Sequence, residues 1–259
     1  MSDPSAAVLV TLDRGVATLT LNQPERKNSL GAELVDELAN ALDDAIADSA
    51  VRVIVLTNAG NTFCAGADLK DAKPGVAGNS GRTFVEVFEI ILGSPKPVIG
   101  RIDGHATGGG VGLAAVCDIS VMRDDAKIGF TEVRLGVAPA VISVVCLPKM
   151  RRADASELFL TGERFTPQRA AEVGLINDAV PADALDERIE HYISMIVRGG
   201  PLALAAAKDL ITRVPELDQA AAFEWTTKRS RELFESDEAQ AGIAAFRDRA
   251  DAPWVPSGW

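Results

Sequence analysis

The run Ile102-Asp103-Gly104-His105-Ala106-Thr107-Gly108-Gly109-Gly110-Val111-Gly112-Leu113 constrains this chain more than any other segment. Three consecutive glycines follow the apolar stretch Val98–Ile102 and lead into Val111–Val116, which is small, apolar and helix-compatible. Backbone this stripped of side chains lets another group come close to its N–H donors. At a helix start those donors have no intrahelical partner and sit at the positive end of the helix dipole. The segment therefore predicts a helix N-terminus built to face a negative oxygen, either of a phosphate or of an oxyanion formed during a reaction.

A dinucleotide site is the first possibility, because Gly110-Val111-Gly112-Leu113-Ala114-Ala115 fits GxGxxA. A lone match is weak. The next predicted strand begins at Ile119, which leaves a helix of only about two turns, shorter than a dinucleotide crossover needs. No acidic residue stands in the expected way ~20 positions on. A phosphate-binding P-loop fails because no GK[ST] follows the glycines. Nucleophilic catalysis fares no better. The two histidines, His105 and His191, have no Ser or Cys partner in a GxSxG elbow.

An oxyanion hole served by a carboxylate fits more of the chain. A second glycine-bearing loop, Phe63-Cys64-Ala65-Gly66-Ala67-Asp68-Leu69-Lys70, follows the predicted strand Val53–Thr57. Backbone N–H groups of Ala67 and Gly109 are the expected pair of donors to one carbonyl oxygen. Such donors are worth ~3 kcal/mol each when aimed at charge that develops in the transition state. The chemistry then needs a proton carrier, and Ile128-Gly129-Phe130-Thr131-Glu132-Val133-Arg134-Leu135-Gly136 offers Glu132 as the candidate. Apolar neighbours would raise its pKa toward the range useful for acid–base work. Taken alone, a solvated carboxylate, or one paired with nearby Arg134, is the competing role.

The rest of the chain reads as α/β. Val8–Leu12 and Val16–Leu21 alternate around Asp13-Arg14-Gly15, a hairpin. Leu34, Leu38, Leu42 and Ile46 recur every four residues, a helix of about 15 residues. Asn58–Gly66 reads as a loop, Thr83–Leu92 as a helix ended before Pro95 and Pro97, and Ile119–Met122 as a strand. Arg152–Leu160 is helical. Thr166-Pro167 starts a short helix that Gly174 closes, and Leu175–Val180 reads as a strand. Beyond Pro181 four helices are predicted: Ala184–Ile196, Leu202–Ile211, Leu217–Phe234 and Ala239–Asp248. Residues 1–195 form the expected core, and 196–259 a helical region that serves oligomerisation. Trp254 and Trp259 near the end are expected to pack either on a neighbouring subunit or on their own chain.

Composition narrows the partners. The net charge of −11 argues against nucleic acid or an anionic membrane surface. Cys64, Cys117 and Cys146 are odd in number and widely spaced, which reads as reduced, core-filling thiols in a cytoplasmic protein. No Cys/His metal spacing occurs. No leader pattern and no apolar run of ~18 residues is present, so export and membrane insertion are not expected.

Phe63–Lys70, Ile102–Leu113 with Cys117-Asp118, and Gly129–Pro139 together resemble the signature blocks of the crotonase, or enoyl-CoA hydratase/isomerase, superfamily. Asn22-Gln23-Pro24-Glu25-Arg26-Lys27-Asn28-Ser29-Leu30, Leu160–Phe165 and Ala170–Ile176 resemble its other blocks, so the likeness runs from about residue 8 to the end. The resemblance implies a spiral of ββα units with a helical C-terminal region, assembled as a homotrimer or as trimers paired into a homohexamer. It implies an acyl-CoA thioester as substrate and no metal or redox cofactor. Ala67 and Gly109 fall on the family's oxyanion donors. Ala65, Ala67, Asp68, Leu69 and Lys70 fall on the segment that binds CoA, with Arg26 and Lys27 as phosphate contacts.

One position departs from the family. Hydratases of the two-carboxylate type carry Glu three residues after the glycine matching Gly109, and this chain has Gly112 there. Three readings remain. Hydration or dehydration of a 2-enoyl-CoA by Glu132 alone is favoured. Residues 132–143 resemble the bacterial methylglutaconyl-CoA hydratase branch, which points to a branched or carboxylated acyl group, with Arg134, Lys149 and Arg151 as unranked partners for a distal carboxylate. Double-bond isomerisation between 3-enoyl- and 2-enoyl-CoA is the alternative. A non-catalytic acyl-CoA- or protein-binding role is the third.

Overall fold

The computed structural model describes residues 4–68 and 81–259. Strands β1 (Val8–Asp13) and β2 (Val16–Leu21) form the expected antiparallel hairpin, with Val8 opposite Leu21. Helix α1 (Ala32–Ala47) then turns Leu34, Leu38 and Leu42, all fully buried, onto the sheet. Their spacing of four keeps them on one helical face.

Beyond α1 the chain uses one motif three times. Strand β3 (Val53–Asn58) leads directly into β4 (Thr62–Cys64) and later helix α2 (Phe84–Gly93). Strand β5 (Val98–Ile102) leads into β6 (His105–Thr107) and helix α3 (Gly109–Val116). Strand β7 (Ile119–Arg123) leads into β8 (Ile128–Gly129), then a 3-10 turn, Glu132–Leu135, and helix α4 (Ala140–Cys146). The long strands join one six-stranded sheet and the short ones a second, three-stranded sheet. Among the described residues the strand pairings after the hairpin are parallel, and an isolated bridge between Ile128 and Phe165 is antiparallel. This is the spiral of ββα units that the resemblance implied.

Helices α5 (Arg152–Thr161) and α6 (Pro167–Glu172) precede β9 (Asp178–Val180), the last strand of the large sheet. Helix α7 (Leu185–Ile196) covers the sheet's outer face. Its Leu185, Ile189 and Ile193 pack with Val16, Val53, Val55, Ile99 and Val121. Every residue of β3 is buried, as expected for a parallel strand covered on both faces. Helices α8 (Pro201–Arg213), α9 (Gln219–Phe234) and α10 (Asp237–Asp248) complete the chain. No helix among the described residues is long and apolar enough to cross a membrane.

Three expectations need correction. The segment Asn58–Gly66 contains strand β4, which is only three residues long and shows no alternation. The strand expected over Leu175–Val180 is confined to Asp178–Val180. The amides of Leu175 and Ile176 instead donate to the Ala170 carbonyl, at 2.9 and 3.4 Å, and close the end of α6. Helix α4 was not expected at all.

The C-terminal tail docks on its own chain. The Trp254 indole donates to the Arg198 carbonyl at 3.0 Å, and Arg52 bonds the carbonyls of Gly199 (2.8 Å) and Trp254. The Trp259 indole donates to the Arg14 carbonyl at 2.8 Å, with the Arg14 guanidinium over its ring. Helix α8 is tied down by Lys208, whose ammonium meets the Asp118 carboxylate at 2.6 Å.

Candidate active site

The second sheet brings the two glycine-bearing loops together. β4 and β6 are neighbours, so Ala65-Gly66-Ala67 emerges beside Gly108-Gly109. The approach is close. A β-carbon built on Gly66 would lie 2.8 Å from the Gly109 nitrogen and 2.9 Å from the Thr107 oxygen, and φ at Gly66 is +84°. Both facts restrict the position to glycine. One residue on, α3 rests directly on β4, because a β-carbon on Gly110 would overlap the Cys64 carbonyl oxygen.

Gly109 opens α3, so its N–H has no carbonyl one turn back within the helix. Ala67 is exposed and bridges Leu30 in parallel, through a bond from the Leu30 amide to the Gly66 carbonyl (2.8 Å). Gly109 is half-buried.

Glu132 arrives from the third unit. Gly129 pairs with Thr107 in the small sheet, and the fully buried Phe130 stacks on Phe159 with ring centroids 4.2 Å apart. Those anchors place the next turn, Glu132–Leu135, against the glycines. The Glu132 Oε1 lies 3.4 Å, and the Gly66 Cα 3.9 Å, from where a β-carbon on Gly108 would stand. All three segments therefore converge on Gly108.

The Glu132 carboxyl is held in a demanding environment. Its Oε2 is buried and has no hydrogen-bond partner among the described residues. Burial pushes its pKa up, and a contact with its own backbone N–H opposes that shift in part. A buried, unpaired carboxylate oxygen is costly unless something arrives to bond it. The competing role as an ion-pair partner of Arg134 does not hold. Arg134 points its Nε to the Thr161 carbonyl, 3.3 Å away, and its Cγ packs over Gly162.

The other sequence candidates sort differently. Arg26 bonds the Asp68 carboxylate at 2.6 Å, and the Ser29 hydroxyl donates to the same oxygen at 3.3 Å. Two expected CoA contacts are thus tied to each other at the mouth of the loop pair. Lys27 is exposed, and its carbonyl accepts the Ala65 amide at 3.1 Å. Leu69 and Lys70 lie outside the described residues. Arg151 is engaged by Asp154 at 2.7 and 3.2 Å, and the Lys149 ammonium faces the Cys117 carbonyl at 3.4 Å. His105 accepts the Lys127 amide through Nδ1 at 2.9 Å, a structural bond. The three cysteines are buried and unbridged, and burial pushes the Cys64 thiol up to about 12.

Sequence reasoning missed Asn28. It is fully buried in a left-handed conformation (φ +49°). Its Oδ1 accepts the Gln23 amide at 2.8 Å, and its Nδ2 donates to Thr62 (2.7 Å) and Ala59 (3.1 Å) carbonyls. It binds the Arg26 loop to the strand before Ala65. Within a polar loop, one more polar residue carries no signal of burial. Asn28→Ala orphans these three groups and is expected to cost about 2–4 kcal/mol of stability, read from the urea midpoint.

Residues 11–256 match the family described as Enoyl-CoA hydratase/isomerase. The chain belongs to the enoyl-CoA hydratase/isomerase family. It is 32% identical to the 2,3-dehydroadipyl-CoA hydratase of Escherichia coli, over 92% of this chain and 94% of that one. It is 30% identical to the (E)-benzylidenesuccinyl-CoA hydratase of Thauera aromatica, over 93% and 96%. The crystal structure of an enoyl-CoA hydratase of Mycobacterium smegmatis superposes with a TM-score of 0.87 at 32% identity, covering 96% of this chain and 98% of that one. Membership in the enoyl-CoA hydratase/isomerase family makes this chain an enzyme of that type.

Proposed function

We propose that the protein adds water to, or removes it from, the double bond of a 2-enoyl-CoA thioester, with Glu132 as the single acid–base group. The buried, unpartnered Oε2 of Glu132 beside Gly108 carries this reading. The amides of Ala67 and Gly109 hold the thioester oxygen. Ionised Glu132 takes a proton from water as the oxygen adds to C3. The electron pair moves to the thioester oxygen and forms an enolate that the two amides stabilise. C2 then recovers the proton from Glu132, so one water is added and the carboxylate is restored.

A branched or carboxylated acyl group is the favoured substrate. The names of two relatives, 2,3-dehydroadipyl-CoA hydratase and (E)-benzylidenesuccinyl-CoA hydratase, describe acyl groups with a second carboxylate. Incubation with crotonyl-CoA, 3-methylglutaconyl-CoA and a 3-enoyl-CoA, followed by product mass, tests this. A gain of one water on 3-methylglutaconyl-CoA is expected, and no gain on any member of the panel would overturn hydration. The lone carboxylate favours a second reading, transfer of one proton between C2 and C4 of a 3-enoyl-CoA. A shifted double bond at unchanged mass would establish it.

Self-association belongs to the same proposal. Helices α9 and α10 have no buried residue, and Ile211, Phe223, Phe234 and Phe246 are each at least 65% exposed. Large apolar side chains exposed on neighbouring terminal helices support a contact surface there. Sedimentation is expected to give about three or six times the 27.3 kDa chain mass.

A further inference from the structure

We infer that Phe88 and Ile142 are positioning residues that plug the place of a second acid and hold the site to one carboxylate; the inference rests on the proposed role of Glu132. Helix α3 presents Gly109 and, one turn later on the same face, Gly112. Helix α2 lays two rings along that face. A β-carbon on Gly109 would lie 3.4 Å from the Phe84 Cζ, and one on Gly112 would lie 2.8 Å from the Phe88 Cζ. The two rings touch each other edge to face, with centroids 4.3 Å apart.

Ile142 closes the face from α4. A β-carbon on Gly112 would overlap its Cγ2 and lie 2.8 Å from its Cβ. The Ile142 Cβ sits on the α4 backbone, so rotation about χ1 does not remove that conflict. Phe88 and Ile142 are 4% and 3% exposed, so both are packed within the core and neither lies at the solvent boundary. Gly112 is therefore more than a missing carboxylate. Any side chain there has to displace α4, whose preceding turn carries Glu132.

The plug also shapes the reaction. It puts hydrocarbon, with no hydrogen-bonding group, where a second acid would bind water. Among the described residues, proton traffic is left to Glu132.

Four variants test this: Gly112→Glu, Ile142→Ala, Gly112→Glu with Ile142→Ala, and Gly112→Gln with Ile142→Ala. Gly112→Glu alone is expected to lower Tm by about 10 °C or more, or to yield no soluble protein. Ile142→Ala removes the Cγ2 overlap, the tightest of these contacts, and leaves the 2.8 Å approach of Cβ, so the Glu/Ala pair is expected to be more stable than Gly112→Glu while remaining less stable than wild type. The Glu/Ala protein is expected to hydrate crotonyl-CoA about tenfold or more faster than the Gln/Ala protein. Its acid limb of kcat/KM is expected about one pH unit higher, because two carboxylates sharing a site resist double ionisation.

Wild-type Tm for Gly112→Glu overturns the plug, and so does an Ile142→Ala background that fails to relieve it. Equal rates and equal acid limbs for the Glu/Ala and Gln/Ala proteins overturn the claim that the plug occupies an acid's place. The Glu132 reading fails separately, through undiminished turnover of Glu132→Gln in the wild-type background, and the Tm comparison decides the packing claim in either case.

Discussion

Glu132→Gln is expected to lower turnover on the preferred acyl-CoA about 100-fold or more, while binding of the acyl-CoA stays close to wild type. Glutamine keeps the shape and the hydrogen-bonding reach of the side chain and removes only its capacity to exchange a proton. The contact of residue 132 with the Gly108 segment and the anchoring by Phe130 are expected to persist in the variant, since neither depends on the charge. Steady-state rates and titration calorimetry separate the two effects. Near-normal turnover would remove Glu132 from the chemistry. The same substitution has a signature in stability. Burial raises the Glu132 pKa in the folded protein, so ionisation there is a cost. That cost is absent below the ordinary carboxylate range, where the group is protonated folded or unfolded, and grows as pH rises through the folded pKa. Glu132→Gln is therefore expected to raise Tm relative to wild type near pH 8 and to leave it unchanged near pH 4. A Tm gain of equal size at both values would mean that charge is not its source.

Gly110→Ala is expected to destabilise the fold by about 3 kcal/mol or more. Helix propensity alone argues the reverse, since alanine is favoured over glycine in a helix interior by ~1 kcal/mol. Packing decides the sign. The new β-carbon would overlap the Cys64 carbonyl oxygen and sit 2.8 Å from its carbonyl carbon, backbone atoms held within the small sheet. Relief requires α3 to lift off β4, which carries the Gly109 amide away from Ala67. Activity is expected to fall with stability, and urea unfolding with parallel rate measurements reads both. A variant as stable as wild type would show that α3 does not rest on β4.

The features legible in the sequence were those with a local cause. The hairpin announced itself by alternation, α1 by leucines every four residues, and the glycine loops by composition. The small sheet did not, because strands of two or three residues have no period to detect. That sheet is nonetheless what gathers the site. Glu132 stood out only once its apolar neighbours were weighed, and its freedom from Arg134 depends on the tight turn that sends the two side chains apart. The reason that Gly112 is glycine lay outside reach altogether. It is a contact between residues on α2, α3 and α4, each about 25–30 positions from the next along the chain. The roles of Asn28 and of the Arg26–Asp68 pair are likewise long-range hydrogen bonds, for which one sequence holds no record.

The docked tail decides what optical spectroscopy can observe. The protein has three tryptophans. Trp254 and Trp259 are bonded to Arg198 and Arg14, and Trp225 lies under the Arg213 guanidinium. All three indoles report on the last quarter of the polypeptide, and none is among the groups around Glu132. Intrinsic emission during denaturation will therefore trace release of that terminal clasp, and occupancy of the catalytic pocket will have to be followed through the absorbance of the thioester instead.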